Sequence, residues 1–242
     1  MSDISIRDLK KTYKDGDIEV HALRGVNLDL QSGEFTALMG PSGSGKTTLL
    51  NIIGGLDDAT SGSVLVDGKN LVDMSGSQRS DLRLNRLGFV FQAYNLIPVL
   101  TAYENAEFVL LLQGVPEAER KKRVMDMLDA VGLAGMADRR PDELSGGQQQ
   151  RVAVARAIVS EPALVLADEP TANLDSTTST GLLETMKKLN EERGVSFLFS
   201  THDPLVMEQA NRIVRLVDGT VADDTTKAAP SNTADASAGA SA

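Results

Sequence analysis

The sequence predicts an α/β fold in which a parallel sheet is covered by helices. Three observations support this expectation: short alternating apolar and polar runs in the opening third, helical spacing in the middle, and alternating helix and strand patterns after Ser145. In folds of this class, ligands bind at the carboxyl ends of the strands. We therefore expect the functional residues to follow directly after strands.

The opening third is predicted to form strands separated by turns, because apolar residues alternate with polar ones and Asp-Gly pairs interrupt the runs. The turns are Asp15-Gly16 and Asp67-Gly68. The apolar positions that indicate the strands are Ile4 and Ile6, then Val26, Leu28 and Leu30, then Phe35 to Met39, and then Val64 to Val66.

Helices are predicted for the middle of the chain. Thr101 and Glu104 have the spacing of a capping box, and apolar residues recur at helical spacing from Pro116 to Val131. After Ser145 the pattern favours a helix that ends at about Ser160. The elements expected beyond it are a strand at Leu164 to Leu166, a helix from Ser176 to Arg193 and a strand at Val195 to Phe199.

The chain is predicted to form one principal globular unit, residues 1–221, followed by a disordered tail, residues 222–242. From Ala222 onward the composition is mostly Ala, Ser, Thr and Asp. A segment of this composition has too little apolar surface to repay the entropy of ordering.

The composition restricts the classes of function. With 242 residues, 41% of them hydrophobic and 24% charged, the chain resembles ordinary soluble proteins, and no apolar run approaches the roughly 18 residues of a membrane-spanning helix. We expect a cytoplasmic location, because the N-terminus lacks a secretory pattern and there is no cysteine. The formal net charge of −10, without a basic patch, argues against a nucleic-acid partner.

A glycine-rich loop lies between an apolar strand and a helix, which is the context of a phosphate-binding loop. Its backbone N–H groups can approach phosphate oxygens, Lys46 can reach the β- and γ-phosphates, and Thr47 can bind Mg²⁺. The candidate nucleotide-binding residues of this segment are Gly40, Pro41, Ser42, Gly43, Ser44, Gly45, Lys46, Thr47 and Thr48. The alternative interpretation, a plain Gly/Ser-rich turn, does not account for the flanking strand and helix.

Two acids end the apolar run Leu164 to Ala167. Their position at the carboxyl end of a strand places them beside the phosphate-binding loop. Because successive residues of a strand point in different directions, we expect Asp168 to face the Mg²⁺ shell and Glu169 to face the attacking water. The alternative is a strand that runs into an acidic surface turn.

The segment Leu144 to Gln148 has two interpretations. Ser145 and Gln148 form a capping box for the helix that follows. That role leaves unexplained two glycines in the first helical turn, Gly146 and Gly147, each of which costs roughly 1 kcal/mol relative to alanine. Close approach of an anion to bare N–H groups is one explanation.

Taken together, the loop from Gly40, the segment Leu144 to Gln148 and the run Leu164 to Glu169 resemble the nucleotide-binding subunit of ATP-binding-cassette (ABC) transporters over about Ile4 to Val221. The resemblance implies a P-loop NTPase (RecA-like) parallel sheet core, with an N-terminal antiparallel β subdomain and an inserted helical subdomain at about residues 93–158. It further implies an ATPase that uses ATP and Mg²⁺.

The resemblance implies roles for further residues. Tyr13 matches the aromatic residue that stacks on adenine, Gln92 matches the glutamine that touches Mg²⁺, and His202 matches the switch histidine at the γ-phosphate. Asn173 to Asp175 match the loop that crosses the subunit interface, whereas His21 is interpreted as structural. Tyr13, Gln92 and His202 also have alternative interpretations without a function: a core or rim tyrosine, a solvated amide and an incidental histidine, respectively.

Three longer runs resemble the lipoprotein-release and macrolide-efflux branch of the family, although Ala172 stands where that branch usually has glycine. The runs are Val20 to Val26, Phe91 to Pro98 and Ala167 to Asp175.

By this resemblance, two copies close head to tail around two ATP, each held between the Gly40 to Thr47 loop of one chain and the Ser145 to Gly147 turn of the other. Glu169 is then the catalytic carboxylate, assisted by His202 and Lys46. A separately encoded integral membrane permease is the expected partner, at the inner face of the cell membrane. The transported substrate remains unidentified, and a regulatory ATPase that signals through a membrane partner remains an alternative. A nucleic-acid or ribosome ATPase would predict a basic patch or two cassettes in the chain, and the sequence has neither.

Overall fold

The computed structural model describes residues 2–66 and 68–227 as an α/β structure with two sheets. The strands are β1 Ser2–Asp15, β2 Ile18–Gln31, β3 Phe35–Met39, β4 Ser61–Val66, β5 Lys69–Asn70, β6 Leu87–Phe91, β7 Leu164–Asp168, β8 Ser196–Thr201, β9 Arg212–Val217 and β10 Thr220–Thr226. The α-helices are α1 Lys46–Ile53, α2 Gly76–Arg86, α3 Ala102–Leu112, α4 Glu117–Ala130, α5 Gly146–Ile158, α6 Ser176–Arg193 and α7 Pro204–Gln209, with short 3₁₀ helices at Leu71–Asp73 and Pro141–Glu143.

The larger sheet has the strand order β10-β9-β3-β8-β7-β6, and every pair except β10 with β9 is parallel. Its central strands are short apolar runs buried on both faces, as expected for strands covered by helices. The predicted parallel core is confirmed, and the three strands predicted for this sheet, β3, β7 and β8, appear within two residues of their expected bounds.

The smaller sheet has the order β2-β1-β4-β5 and is antiparallel throughout. One face of β1 and β2 is buried, through residues such as Ile4, Ile6, Leu28 and Leu30. These side chains share a core with α1 and with one face of the larger sheet. The alternation of apolar and polar residues therefore reflects a sheet with one solvated face.

Helices α3, α4 and α5 pack against one another and lie within residues 93–158. The capping box at Thr101 and Glu104 is present, with the Glu104 backbone N–H donating to Thr101 Oγ1 at 3.2 Å and the Thr101 N–H donating to Glu104 Oε2 at 2.8 Å. A second apolar core joins these helices to α6 and to the opposite face of the larger sheet. Among the described residues, no helix has both the length and the apolar character to cross a bilayer.

The predicted boundary at Ala222 is wrong, because β10 continues to Thr226 and pairs with β9. Arg212 of β9 donates to both carboxylate oxygens of Asp224 at 2.7 Å and to Glu34 Oε2 at 2.9 Å. These acids raise the pKa of Arg212. The edge strand β10 is held by backbone pairing with β9 and by the Arg212–Asp224 ion pair, so it needs little apolar surface. The composition of the segment therefore did not indicate a strand. The remainder of the predicted tail, 228–242, lies outside the described residues.

A chain that ends at Val221 should be less stable than a chain that ends at Lys227, because it loses the β9 pairing and one carboxylate partner of Arg212. We expect a loss of about 2 kcal/mol, roughly 4 to 8 °C in Tm. Thermal unfolding of the two truncated chains measures the difference, and equal melting temperatures would show that β10 adds nothing.

Candidate functional site

Four neighbouring parallel strands end level at one edge of the larger sheet. The register pairs Met39 with Thr201, Ser200 with Asp168, and Asp168 with Phe91. The residues that follow these strand ends in the chain are Gly40, His202, Glu169 and Gln92. Strand register alone therefore places four predicted site residues along one line.

A cavity of about 630 Å³ opens at this edge, a volume suited to a small ligand. We call it the edge cavity. Its walls come from the predicted phosphate-binding loop, from the acidic strand end and from β2, which supplies three residues that the sequence did not indicate. The lining residues are Val20, His21, Ala22, Gly40, Pro41, Ser42, Gly43, Gly45, Lys46, Thr47, Thr48, Gln92, Glu169, Ala172, Ser200 and His202.

Close backbone contacts determine the shape of the glycine-rich loop. A Cβ atom at Gly40 would lie 2.1 Å from the carbonyl oxygen of Leu216, and one at Gly45 would lie 2.6 Å from that of Ala22. Gly45 also has a φ of 102° and is the N-cap of α1, so no side chain caps this helix. The first N–H groups of α1 are therefore free of a capping side chain, as a phosphate-binding terminus requires.

Lys46 is buried, with 9% of its surface exposed, although it carries a positive charge. Its ammonium group donates to the carbonyl oxygens of Gly40 at 2.8 Å and Pro41 at 3.1 Å. The Lys46 side chain therefore folds back along its own loop. The Ser44 hydroxyl is also buried and has no hydrogen-bond partner among the described residues.

The two acids lie in different surroundings, and their roles at Mg²⁺ and at the attacking water stay predictions. Asp168 accepts a hydrogen bond from the Thr47 hydroxyl at 3.4 Å, and burial, followed by the nearby charge of Glu169, raises the pKa of the Asp168 carboxyl. A divalent cation would relieve this unfavourable concentration of negative charge. Thr47 and Gln92 line the edge cavity, and Asp168 lies behind Thr47 without lining it, so the oxygens of these three residues would be available to Mg²⁺.

Glu169 has a left-handed backbone, with φ of 46°, and its N–H donates to the carbonyl oxygen of Ser200 at 2.9 Å. Its carboxylate lies 2.8 Å from Nδ1 of His202. The Glu169 side chain is 17% exposed and the His202 side chain 75% exposed, so the histidine covers the carboxylate from the solvent side. A general base oriented by a neighbouring group is a common arrangement in hydrolytic sites.

Tyr13 does not line the edge cavity, although its hydroxyl lies 3.5 Å from the hydroxyl of Thr48 at the cavity's border. The Tyr13 hydroxyl donates to Asp57 at 2.7 Å, and the Lys11 ammonium lies 4.6 Å from the ring centre. These contacts leave the phenol 41% exposed. Its stacking on adenine stays a prediction.

Ser145 to Gln148 lie outside the edge cavity. The predicted capping box is present: the Gln148 N–H donates to Ser145 Oγ at 3.3 Å, and the Ser145 N–H donates to Gln148 Oε1 at 2.9 Å. A Cβ atom at Gly147 would lie 2.3 Å from Thr178 Cγ2, and one at Gly146 would lie 2.9 Å from the Tyr94 hydroxyl. Packing within one chain is therefore sufficient reason for both glycines, without an anion.

Sequence comparisons identify the family. The family model described as "ABC transporter" matches residues 23–172. The chain belongs to the ABC transporter family. It is 49% identical over 220 residues to a macrolide export ATP-binding/permease protein of Syntrophobacter fumaroxidans, covering 90% of this chain and 31% of that protein. It is 47% identical over 225 residues to a lipoprotein-releasing system ATP-binding protein of Rhodopseudomonas palustris, covering 92% of this chain and all of that protein.

A structural comparison agrees with the sequence comparisons. The chain is similar, with a TM-score of 0.86 and 43% identity, to a dimeric post-hydrolysis structure of the cassette MJ0796 bound to ADP and Pi, covering 93% of this chain and 99% of that one. The P-loop NTPase fold and the ABC-type ATPase activity predicted from the sequence are thereby confirmed. The chain spans about a third of the length of the macrolide-export relatives.

The packing of the signature turn, which we define as Ser145 to Gln148, can be tested by steric rescue. Gly147→Ala should lower Tm by roughly 2 to 8 °C, the range for an overpacking cost of 1 to 2 kcal/mol, because the new methyl group meets Thr178 Cγ2. Thr178→Ser removes that methyl group but retains the hydroxyl that donates to Asp175. In thermal unfolding the double variant should recover most of the loss, and a double variant as unstable as Gly147→Ala would contradict the packing explanation.

Proposed function

We propose that this ATPase closes head to tail with a second copy around two ATP and drives a separately encoded integral membrane permease. One observation carries the proposal: the edge cavity contains the phosphate-binding loop, Glu169, Gln92 and His202, but not the signature turn. In the proposed dimer, the signature turn of the second copy supplies the part of the site that the edge cavity of one chain lacks. The dimeric state of the structural neighbours supports this arrangement.

In the proposed site, residues Gly40 to Thr48 bind the phosphates, and Tyr13 binds the base. Ser145 to Gln148 of the other copy close over the γ-phosphate, where the uncapped N-terminus of α1 already supplies N–H donors. Lys46 exchanges its two carbonyl partners for phosphate oxygens. The cation is therefore transferred between partners rather than left unpaired.

The proposed chemistry is attack of water on the γ-phosphate. Glu169 accepts a proton from water, and His202, which lies 2.8 Å from that carboxylate, holds it in place. Thr47, Asp168 and Gln92 would bind Mg²⁺, which when present offsets phosphate charge. Lys46 stabilises the charge that develops on the phosphate oxygens.

Glu169→Gln should trap a dimer in the presence of ATP. The amide cannot accept the proton, so the chemical step slows while phosphate contacts persist, and ATP shifts the population toward the closed pair that it binds best. Size-exclusion chromatography with light scattering should show the mass doubling with ATP.

The control is the double variant Glu169→Gln/Ser145→Arg, which places a bulky cation on the exposed signature turn. We expect it to stay monomeric with ATP. A Glu169→Gln chain that stays monomeric at saturating ATP and high protein concentration would refute the shared site.

A groove of about 380 Å³ lies between β6, α3 and α5, beside the loop that follows Gln92. We call it the docking groove. Its apolar lining includes Leu56, Phe89, Phe91 and Val109, and Leu56 is 50% exposed. A cytoplasmic helix of the permease with an apolar face fits a groove of this kind. A chain docked on the permease in this way would lie at the inner face of the cell membrane, as proposed.

The loop beside the docking groove is mostly withdrawn from the solvent. Of its four apolar residues, only Val99 is exposed, at 73%, whereas Leu96, Ile97 and Leu100 are half-buried. The buried Asn105 holds the loop, accepting from the Ile97 N–H at 2.8 Å and donating to the Leu100 carbonyl at 3.0 Å. The docking surface therefore lies in the groove and not on these side chains.

The docking groove is connected to the nucleotide site through Arg156, which lines it. The Arg156 guanidinium donates to the carbonyl oxygens of Tyr94 at 2.9 Å and Asn95 at 2.6 Å, two residues with a φ of 51°. The Tyr94 hydroxyl in turn lies against Gly146 of the signature turn. A partner seated in the groove can therefore move Gln92 and the signature turn together.

Leu56→Asp should reduce stimulation of ATP hydrolysis by the permease at least about tenfold, because it places a charge on the apolar lining, and basal hydrolysis should be unchanged. Val72→Asp is the matched control, since Val72 is similarly exposed, at 47%, and lies outside the groove. The measurement is ATPase activity with and without the membrane protein that co-purifies with the chain from gently solubilised cells.

Unchanged stimulation in Leu56→Asp would contradict docking in this groove.

The names of the relatives favour macrolide or lipoprotein extrusion as the process driven. Substrate-dependent transport in reconstituted vesicles would support that role, whereas partner-dependent signalling without transport would support the regulatory alternative.

A further inference from the structure

We propose that Gln150 is a positioning residue that links the helix of the signature turn to both Gln92 and Glu169. The inference rests on the proposed function, because it assigns Gln150 to the same nucleotide site. Gln150 lies on α5, within the second turn after Ser145, and touches neither the edge cavity nor the docking groove.

The Gln150 amide bridges two segments that end at the nucleotide site. Its Nε2 donates to the carbonyl oxygen of Pro170 at 2.7 Å and approaches that of Phe91 at 3.4 Å. Pro170 follows Glu169 directly, and Phe91 directly precedes Gln92. One side chain of α5 therefore contacts the backbone next to both residues.

Stability does not explain a glutamine at this position. Gln150 is fully buried, and its Oε1 has no hydrogen-bond partner among the described residues. A buried, unsatisfied polar atom costs roughly 1 to 3 kcal/mol, whereas methionine has a similar shape and carries no such penalty. The glutamine is therefore better explained by the direction of its amide donors than by filling of the core.

The preceding residue on the same helix provides the contrast. The Gln149 Nε2 donates to the carbonyl oxygen of Leu144 at 3.1 Å, within the segment that contains the signature turn. Within the described part of the chain, the Gln149 side chain forms no hydrogen bond with the backbone beside Glu169 or Gln92. Two adjacent glutamines thus differ in whether they connect α5 to the strand ends.

The Pro170 contact bears directly on the orientation of Glu169. The Glu169 backbone is left-handed, and its N–H is already held by Ser200 on one side. Gln150 donates to the carbonyl oxygen of Pro170, the residue after Glu169. The backbone turn that carries the Glu169 carboxylate is therefore hydrogen-bonded on both sides. Because a general base must lie within hydrogen-bond reach of its proton, a small displacement of this turn slows chemistry more than it weakens binding.

The experiment compares Gln150→Met with Gln149→Met and the wild-type chain. We expect Gln150→Met to lower kcat at least about tenfold, with KM for ATP within about twofold of the wild type. Its ATP-induced dimer should outlast that of the wild type because hydrolysis is slower. Hydrogen exchange should be faster at residues 169–174, and Tm should stay within about 3 °C. Gln149→Met should match the wild type in all five quantities.

Unchanged kcat in Gln150→Met would overturn the inference. A large fall in Tm with a matching fall in nucleotide-binding capacity would also overturn it, since both would identify a purely structural residue. The proposed function has its own separate test in the same series: a Glu169→Gln chain that stays monomeric with ATP would refute the shared site whatever the result at Gln150.

Discussion

The parallel pairing of β3 with β8 and β8 with β7 is the constraint on which the rest of the site depends. The last pairs are Met39 with Thr201 and Asp168 with Ser200, so the three strands end at the same edge to within one residue. The chain leaves the sheet at these points, so strand pairing by itself is sufficient to bring the glycine-rich loop, His202 and Glu169 to one edge. Side-chain hydrogen bonds then adjust positions that the backbone has already established.

The same constraint excludes the signature turn from the edge. That turn lies at the start of α5, and the chain runs from the end of α5 to the amino end of β7. Ser145 therefore begins a helix and does not follow the carboxyl end of a strand. A helix can be tied to the edge only through its side chains. Gln150 and Arg156 do this, by contacting backbone carbonyls near Glu169 and Gln92. The helix that follows the signature turn is therefore hydrogen-bonded to the strand ends through these side chains.

Sequence reasoning succeeded where one local pattern determines the result. Asp168 and Glu169 end a buried apolar run, and Lys46 follows glycines at the start of a helix, so strand and helix rules were sufficient to place them. The contacts of Gln150 and Arg156 could not be predicted, because they join residues up to 62 positions apart through packing. The strand β10 was missed because its partners, Arg212 and the β9 backbone, are not visible in its composition. The sequence led us to interpret His21 of β2 as structural, but its side chain lines the edge cavity.

Two backbone carbonyls of its own loop explain how the buried Lys46 cation is tolerated. A buried and unpaired ammonium group would be strongly unfavourable, yet Lys46 has two carbonyl partners in its own loop. The loop is held independently of these bonds, since Gly40 and Gly45 pack directly on the Leu216 and Ala22 carbonyls. In the proposed site, a phosphate would therefore compete only for the ammonium and would meet a backbone held by other contacts. The loop would then need little reorganisation, which would leave more of the binding free energy for closure of the two copies.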